Sequence, residues 1–439
     1  MVTPSNFRNQ FLLTILNRRI MLNQLNEIGT TFQNASLEEA IQKLQELKER
    51  RRDFVIPVQN MRMNYAGEIE VSGVMAKENS ELAGLGVTMT PEVLKLNSNE
   101  VANRHIAGRF NIPYKYWDKC LSELPCVAMY NLNGWIAKEV EDKGNDKARR
   151  MLVRTYMNEA GGTEGTLRAL LSDKYLMYDN LNVLAVALKA VKEANDNHGL
   201  NIQVDKCDLS EKKMYVRFVC PSIEQEAPDA LQNYVDPNNG ENGGLGISNG
   251  IVTGFVLSNS EVGMGSLSIS PRVTVLACRN GMIWKEEGFR RMHLGAKMSE
   301  GEMIWKDDTK AANIVVVEKQ LRDMIEKYVN PEFLGERVAD IEDMAARKLE
   351  NPVECCKNMC QAIGMSEGEM DGIFEQFVKQ RDTSSVFSVA QAITGHAHYV
   401  NPERREELEV AATGLMNLVD KCDVAKVIKV AKKKRAVTI

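Results

Sequence analysis

Between residues 251 and 298 the chain alternates, turns on glycine and gathers cations, and this stretch limits the fold more than any other. Leu267, Ile269, Val273 and Val275 alternate with Ser266, Ser268, Ser270 and Thr274. A period of two puts aliphatic side chains on one face of a strand and hydroxyls on the other. The pattern predicts a half-buried antiparallel strand, interrupted near Pro271, with its hydroxyl face open. Asn280 and Gly281, inside the CRNG run at 278–281, predict a tight hairpin turn into Met282, Ile283 and Trp284. Such a sheet must bury its apolar face, and the flanking sequence supplies helices to cover it.

Upstream, residues 7–23 are compatible with a short helix. Ser36 followed by Glu39 is a capping box, and Leu37, Ala40, Ile41, Leu44 and Leu47 continue at helical spacing. That helix runs out in Lys48, Arg50, Arg51 and Arg52, either a solvated end or a phosphate-contacting patch. Residues 54–90 read as short strands broken by glycine and proline. Ala102, Ile106 and Phe110, then Trp117, Cys120, Leu121 and Leu124, outline two helices about Pro113. The pair has a helix-turn-helix outline without an Arg/Asn/Gln reading set. Residues 131–138 are expected as a strand with an Asn-Leu-Asn-Gly turn, 139–150 as an exposed charged segment and 151–156 as a strand. Leu184, Ala187, Leu188 and Val191 mark a helix capped by Asp179 or Asn180 and closed at His198-Gly199. Residues 202–208 and 213–220 form a hairpin. The Gly- and Asn-rich loop at 223–250 carries no calcium or phosphate-loop spacing. Beyond Lys306 everything reads as helix, ending in a basic tail.

The fold expected is therefore α+β: an antiparallel sheet core with packed helices, followed by an all-helical C-terminal region. Its divisions are an N-terminal helical segment at 1–53, the core at 54–305, a helical domain at 306–425 and the basic tail at 426–439. Nothing approaches the ~20 consecutive apolar residues of a membrane span. The net charge of −5 argues against coating nucleic acid by bulk charge, though not against a local basic face. Nine cysteines, an odd number, point to free thiols and a cytoplasmic setting.

No enzyme motif is present, and no cofactor is expected. Cys355, Cys356 and Cys360 lack the second ligand pair that zinc requires, and His396 with His398 lacks carboxylate partners, so no metal is assigned. An acid/base pair of Glu261 and His293 requires the fold to bring the two together. The outstanding constellation is cationic. Arg272, Arg279, Lys285, Arg290, Arg291, His293 and Lys297 lie on or just after the alternating strand, with Trp284 among them. Cations that track phosphates beside aromatics that stack on bases are the equipment of single-strand binders. The same mixture also occurs on ordinary sheet surfaces and oligomer interfaces.

RALLSDKY at 168–175, NSEVG at 259–263, CRNG at 278–281, RRMHLG at 290–295 and SVAQAIT at 388–394 come in an order that resembles the phage/plasmid-like protein family, which is defined by a domain of unknown function. The resemblance covers roughly residues 90–415. It implies a phage or mobile-element setting among replication, recombination and anti-restriction genes, and so the host cytoplasm. With the cationic strand, it implies a homo-oligomeric protein that binds single-stranded DNA in recombination or replication, annealing-like and without hydrolysis. The long helical C-terminal third departs from a simple annealing ring. The alternative is a non-catalytic assembly or interaction protein that meets a host protein.

Overall fold

The structure, a computed structural model, describes residues 30–74, 92–144, 149–226, 250–276, 280–284, 289–291, 301–302, 307–380 and 384–415. Two sheets and their helices make an α+β fold, with helices concentrated toward the C-terminus.

The first sheet begins with strand β1 (Phe32–Ala35). The Ser36 hydroxyl accepts from the Glu39 N–H and the Glu39 carboxylate accepts from the Ser36 N–H, which starts α1 (Leu37–Glu49). The chain then enters the second sheet through β2 (Arg51–Pro57), β3 (Met61–Met63), β4 (Ile69–Val74) and β5 (Glu92–Ser98). Three helices follow, α2 (Glu100–Arg109), α3 (Tyr114–Glu123) and α4 (Pro125–Lys143). Strands β6 (Arg150–Met157) and β7 (Glu164–Ser172) return to the same sheet. Among the described strands only β5 and β7 pair in parallel, because the three-helix excursion carries the chain across the sheet between them. Ala128, Leu132 and Ile136 point inward from α4 at helical spacing and seal this sheet's core with Trp117 and Ile106. The strand expected at 131–138 is thus the middle of a helix. Its apolar period is four, and Pro125 occupies the first helical turn.

Helix α5 (Asn180–His198) ends on Gly199, whose φ of 63° is left-handed. It leads back to the first sheet, through β8 (Gln203–Leu209), β9 (Met214–Glu226), β10 (Gly250–Asn259), β11 (Leu267–Val275), β12 (Asn280–Ile283) and β13 (Phe289–Arg291). The order is β1-β8-β9-β10-β11-β12, with β13 also on β11. The second sheet runs β14-β2-β6-β7-β5-β4-β3, where β14 is Gly301–Glu302. Six helices complete the described chain, α6 (Asp307–Tyr328), α7 (Pro331–Ala346), α8 (Pro352–Ala362), α9 (Glu367–Val378), α10 (Val386–His396) and α11 (Pro402–Gly414).

The odd-numbered residues of β11 behave as the alternation predicts and join one continuous core with α5, α6, α7 and α10. The even-numbered face differs from expectation. Ser270, Arg272 and Thr274 are buried, not open to water, because α11 lies over that face. A polar strand face here matches the polar side of a helix, where Arg405, Glu406 and Glu409 are themselves buried. Pro271 leaves the strand continuous. Its carbonyl accepts from the Trp284 N–H at 3.1 Å, so its N–H-less edge faces the junction where β13 has ended and β12 begins.

Candidate functional site

Strands β10 to β13 place the predicted cations very unevenly. Arg272 is fully buried under α11. Its Nη1 donates to Thr274 Oγ1 at 2.9 Å and stands 3.6 Å from Asp205, and its Nη2 stands 3.6 Å from Glu409. The expectation that Arg272 lies on an exposed edge is therefore corrected: its charge is consumed inside the molecule. Trp284 is likewise inside, 8% exposed, with the Arg337 guanidinium 5.7 Å from its ring centre, so it offers no stacking face to a ligand. Phe255 stacks on Phe218 in the core at 4.5 Å. Arg290 and Arg291 lie on β13, opposite Ser268 and Leu267 of β11. Arg279, Lys285, His293, Lys297, the loop at 227–249 and the basic tail lie outside the described residues.

Asn280 and Gly281 are not the hairpin turn that their types predict. They are the first residues of β12, paired with Val275 and Thr274. Asn280 Nδ2 donates to Gln391 Oε1 at 2.7 Å, which leaves its Oδ1 as the acceptor facing His398 Nε2 at 3.0 Å. The neutral His398 ring therefore carries its proton on Nε2.

Around Arg272 lies a buried charged cluster drawn from β8, β9, β11 and α11. Arg217 pairs with Asp208 and stands 3.8 Å from Glu409. Arg405 reaches Glu409 at 3.3 Å and donates to Asn34 Oδ1 at 2.8 Å. Burial pushes the Glu409 carboxyl up, but Arg272, Arg217 and Arg405 together outweigh it and hold it at about 2. Burial lowers His398 to about 4, so the ring is neutral at pH 7.

A second cluster joins the two sheets. Arg154 of β6 is fully buried; it binds Asp53 at 2.9 Å, Asp179 at 3.0 Å and the Glu261 carbonyl at 2.7 Å. Arg51 reaches Asp179 at 2.6 Å. The Glu261 carboxylate accepts from Arg168 at 3.0 Å and from the Asn180 N–H at 2.6 Å. Arg168 also lies over the Tyr156 ring, 3.8 Å from its centre. Burial raises the Glu261 pKa, and Arg168, Arg154 and Arg51 reverse that, so the group stays ionised. Asp179 sits at the N-cap of α5 without a side-chain capping bond; Glu261 supplies the anion there instead. The pairing of Glu261 with His293 falls outside the described residues, and the arginines at 51–52 do not form a solvated helix end. Glu261 is held by Arg168 and α5. Arg51 and Arg52 are half-buried and buried strand residues.

His396 and His398 do not converge on a common site. His398 faces Asn280, and the His396 ring lies where a Cβ on Gly372 would stand, 2.4 Å away. Cys356 and Cys360 are buried in α8. No cluster of three metal-ligating side chains occurs among the described residues, and no described helix is long and apolar enough to cross a membrane. The arginines that matter most to the architecture did carry a signal in the sequence. Arg154, Arg217 and Arg272 each stand inside a strand run rich in apolar residues, where a charge must find a buried partner. No family model, no curated protein and no solved structure matches this chain.

Proposed function

We propose that this protein is a phage or mobile-element accessory protein that binds single-stranded DNA without hydrolysing it, working in the cytoplasm and as an oligomer. The observation that carries the reading is the position of β13. It adds Arg290 and Arg291 to the flank of β11, beside β12, at the margin of the first sheet. The interior arginines Arg217 and Arg272 are neutralised by acids and are not available to a polyanion. Glu261, the carboxylate considered for acid/base work, is taken up by Arg168 and the start of α5, which favours binding over catalysis.

A gel shift with single- and double-stranded DNA at two salt concentrations tests the proposal. The expected result is preference for the single strand and an affinity that falls steeply with salt. Replacing Arg290 and Arg291 together with alanine is expected to weaken binding by roughly tenfold or more and to flatten the salt slope by about two phosphate contacts. Wild-type affinity in that double variant removes the site.

A further inference from the structure

We propose that the aromatic surface formed by Tyr65, Tyr116, Tyr130 and Trp135 seats a second copy of this chain, packed about a two-fold axis across α4. Tyr65 is 72% exposed, Tyr130 64%, Trp135 49% and Tyr116 46%. Tyr65, in the turn between β3 and β4, stands close enough to Tyr130 to raise its pKa. Asn131, the next residue of α4, donates to the Tyr116 hydroxyl at 3.3 Å. Trp135 follows Asn131 by one helical turn on the same side. With about 150–250 Å² per buried aromatic side chain, these four hold roughly 400–500 Å² of their surface in water. That matches the largest apolar patch on a typical monomer. The intrachain packing of α4 uses its other side, through Ala128, Leu132 and Ile136.

Two independent features name the occupant. Gly134 is exposed in the middle of α4, between Tyr130 and Trp135, and a Cβ there would meet nothing within 4 Å. A glycine in a helix interior costs about 0.5–1 kcal/mol relative to alanine, and the described residues around it give no reason for one. Bare backbone at the centre of an aromatic surface admits close approach by another backbone. The rim, in turn, is balanced in charge: Lys119 pairs with Glu123 at 3.9 Å, and Lys138 with Asp142 at 2.6 Å. A polyanion gains little from such a rim. An isologous interface must complement itself, and a rim that carries both signs of charge allows that. Tyrosine and tryptophan are also the residues that dominate protein interfaces. A standard interface uses about 800 Å² per side, of which the aromatics supply roughly half and the rim, with Leu124, the remainder.

This surface lies on the helical side of the second sheet, and the inference does not depend on DNA binding at β13. Sedimentation equilibrium of the full chain tests it, beside a Tyr130→Ala/Trp135→Ala double variant and Gly134→Ala. The wild type is expected to be dimeric at micromolar concentration. The double variant should be monomeric with an unchanged far-ultraviolet circular dichroism spectrum, because both side chains are exposed. Gly134→Ala should keep or raise helicity and yet weaken the dimer by roughly tenfold or more. A wild-type monomer throughout that range, or a double variant of wild-type mass, overturns the inference. Loss of single-strand affinity in the double variant at unchanged mass also overturns it, in favour of base stacking.

Discussion

Arg272 and Gly281 occupy one volume between them. A Cβ at residue 281 would stand 2.1 Å from Arg272 Nε, so the glycine is fixed by a guanidinium on the neighbouring strand and not by a turn. Asn280 is fixed in the same way, by His398 and Gln391 from the far end of the chain. Read alone, Asn-Gly is a hairpin signal; the partners that override it lie more than a hundred residues away, out of reach of any local pattern. The histidine has a consequence for acid stability. Its pKa is lowered by burial to about 4, with Arg405, Arg272 and Arg217 pushing the same way and Glu409 opposing. The unfolded chain, with an ordinary value near ~6.5, binds the proton first. The contribution is therefore whole above pH ~6.5 and disappears as the pH falls toward 4, up to about 3 kcal/mol in all. His398→Gln, which keeps a donor for Asn280, is expected to flatten the fall in stability between pH 6.5 and 4.5 measured by urea unfolding. A variant that loses stability over that interval as steeply as the wild type refutes the assignment.

Elements that carry their own end signals were legible, and elements defined by a distant partner were not. Helix α1 could be read from Ser36 and Glu39 because its capping bonds close within four residues. The hairpin of β8 and β9 could be read from alternation, since Cys207 and Leu209 oppose Val216 and Met214. Helix α4 was misread because its Asn-Leu-Asn-Gly run imitates a turn. Asn133 instead bonds the backbone of Met63 through both polar atoms of its amide, and Gly134 faces outward. The start of α5 was legible and its N-cap is Asp179, one of the two candidates, but the Asp179 side chain makes no capping bond. Asp179 is drawn away by Arg51 and Arg154, and the vacancy at the helix dipole is filled by Glu261 from the turn after β10. Glu261 thereby ties α5, β7 and the β10–β11 turn together. Glu261→Ala leaves Arg168 buried without its carboxylate, which costs about 3–5 kcal/mol when one partner of a buried pair is removed. Glu261→Gln keeps the bond to Asn180 and should cost less. Urea unfolding of both variants measures this, and an alanine variant within ~0.5 kcal/mol of the wild type shows that the pair is not structural.

At the scale of the whole molecule, the first sheet is finished by chain that comes long after it. Its apolar face belongs to the same core as Leu321, Ile325, Phe333 and Val338 of α6 and α7, and its polar face is closed by Arg405, Glu406 and Glu409 of α11. Arg217 and Arg272 are tolerated inside because Glu409 arrives from α11 to meet both. The second sheet has its own core of β2 to β7 with α2, α3 and α4, and makes no such demand. A chain ending at residue 305 is therefore expected to fail in one half only. Its second sheet should still unfold cooperatively in urea. Its first sheet, with two arginines stripped of Glu409 and an uncovered aliphatic face, should bind a hydrophobic dye such as ANS and lose near-ultraviolet circular dichroism. The Arg154 cluster draws on residues before 305 alone, so it survives the truncation and keeps the two sheets joined. A truncated chain with a single sharp transition and no dye binding would show that α6 to α11 form an appendage, and that the charges between α11 and the sheet add nothing to its stability.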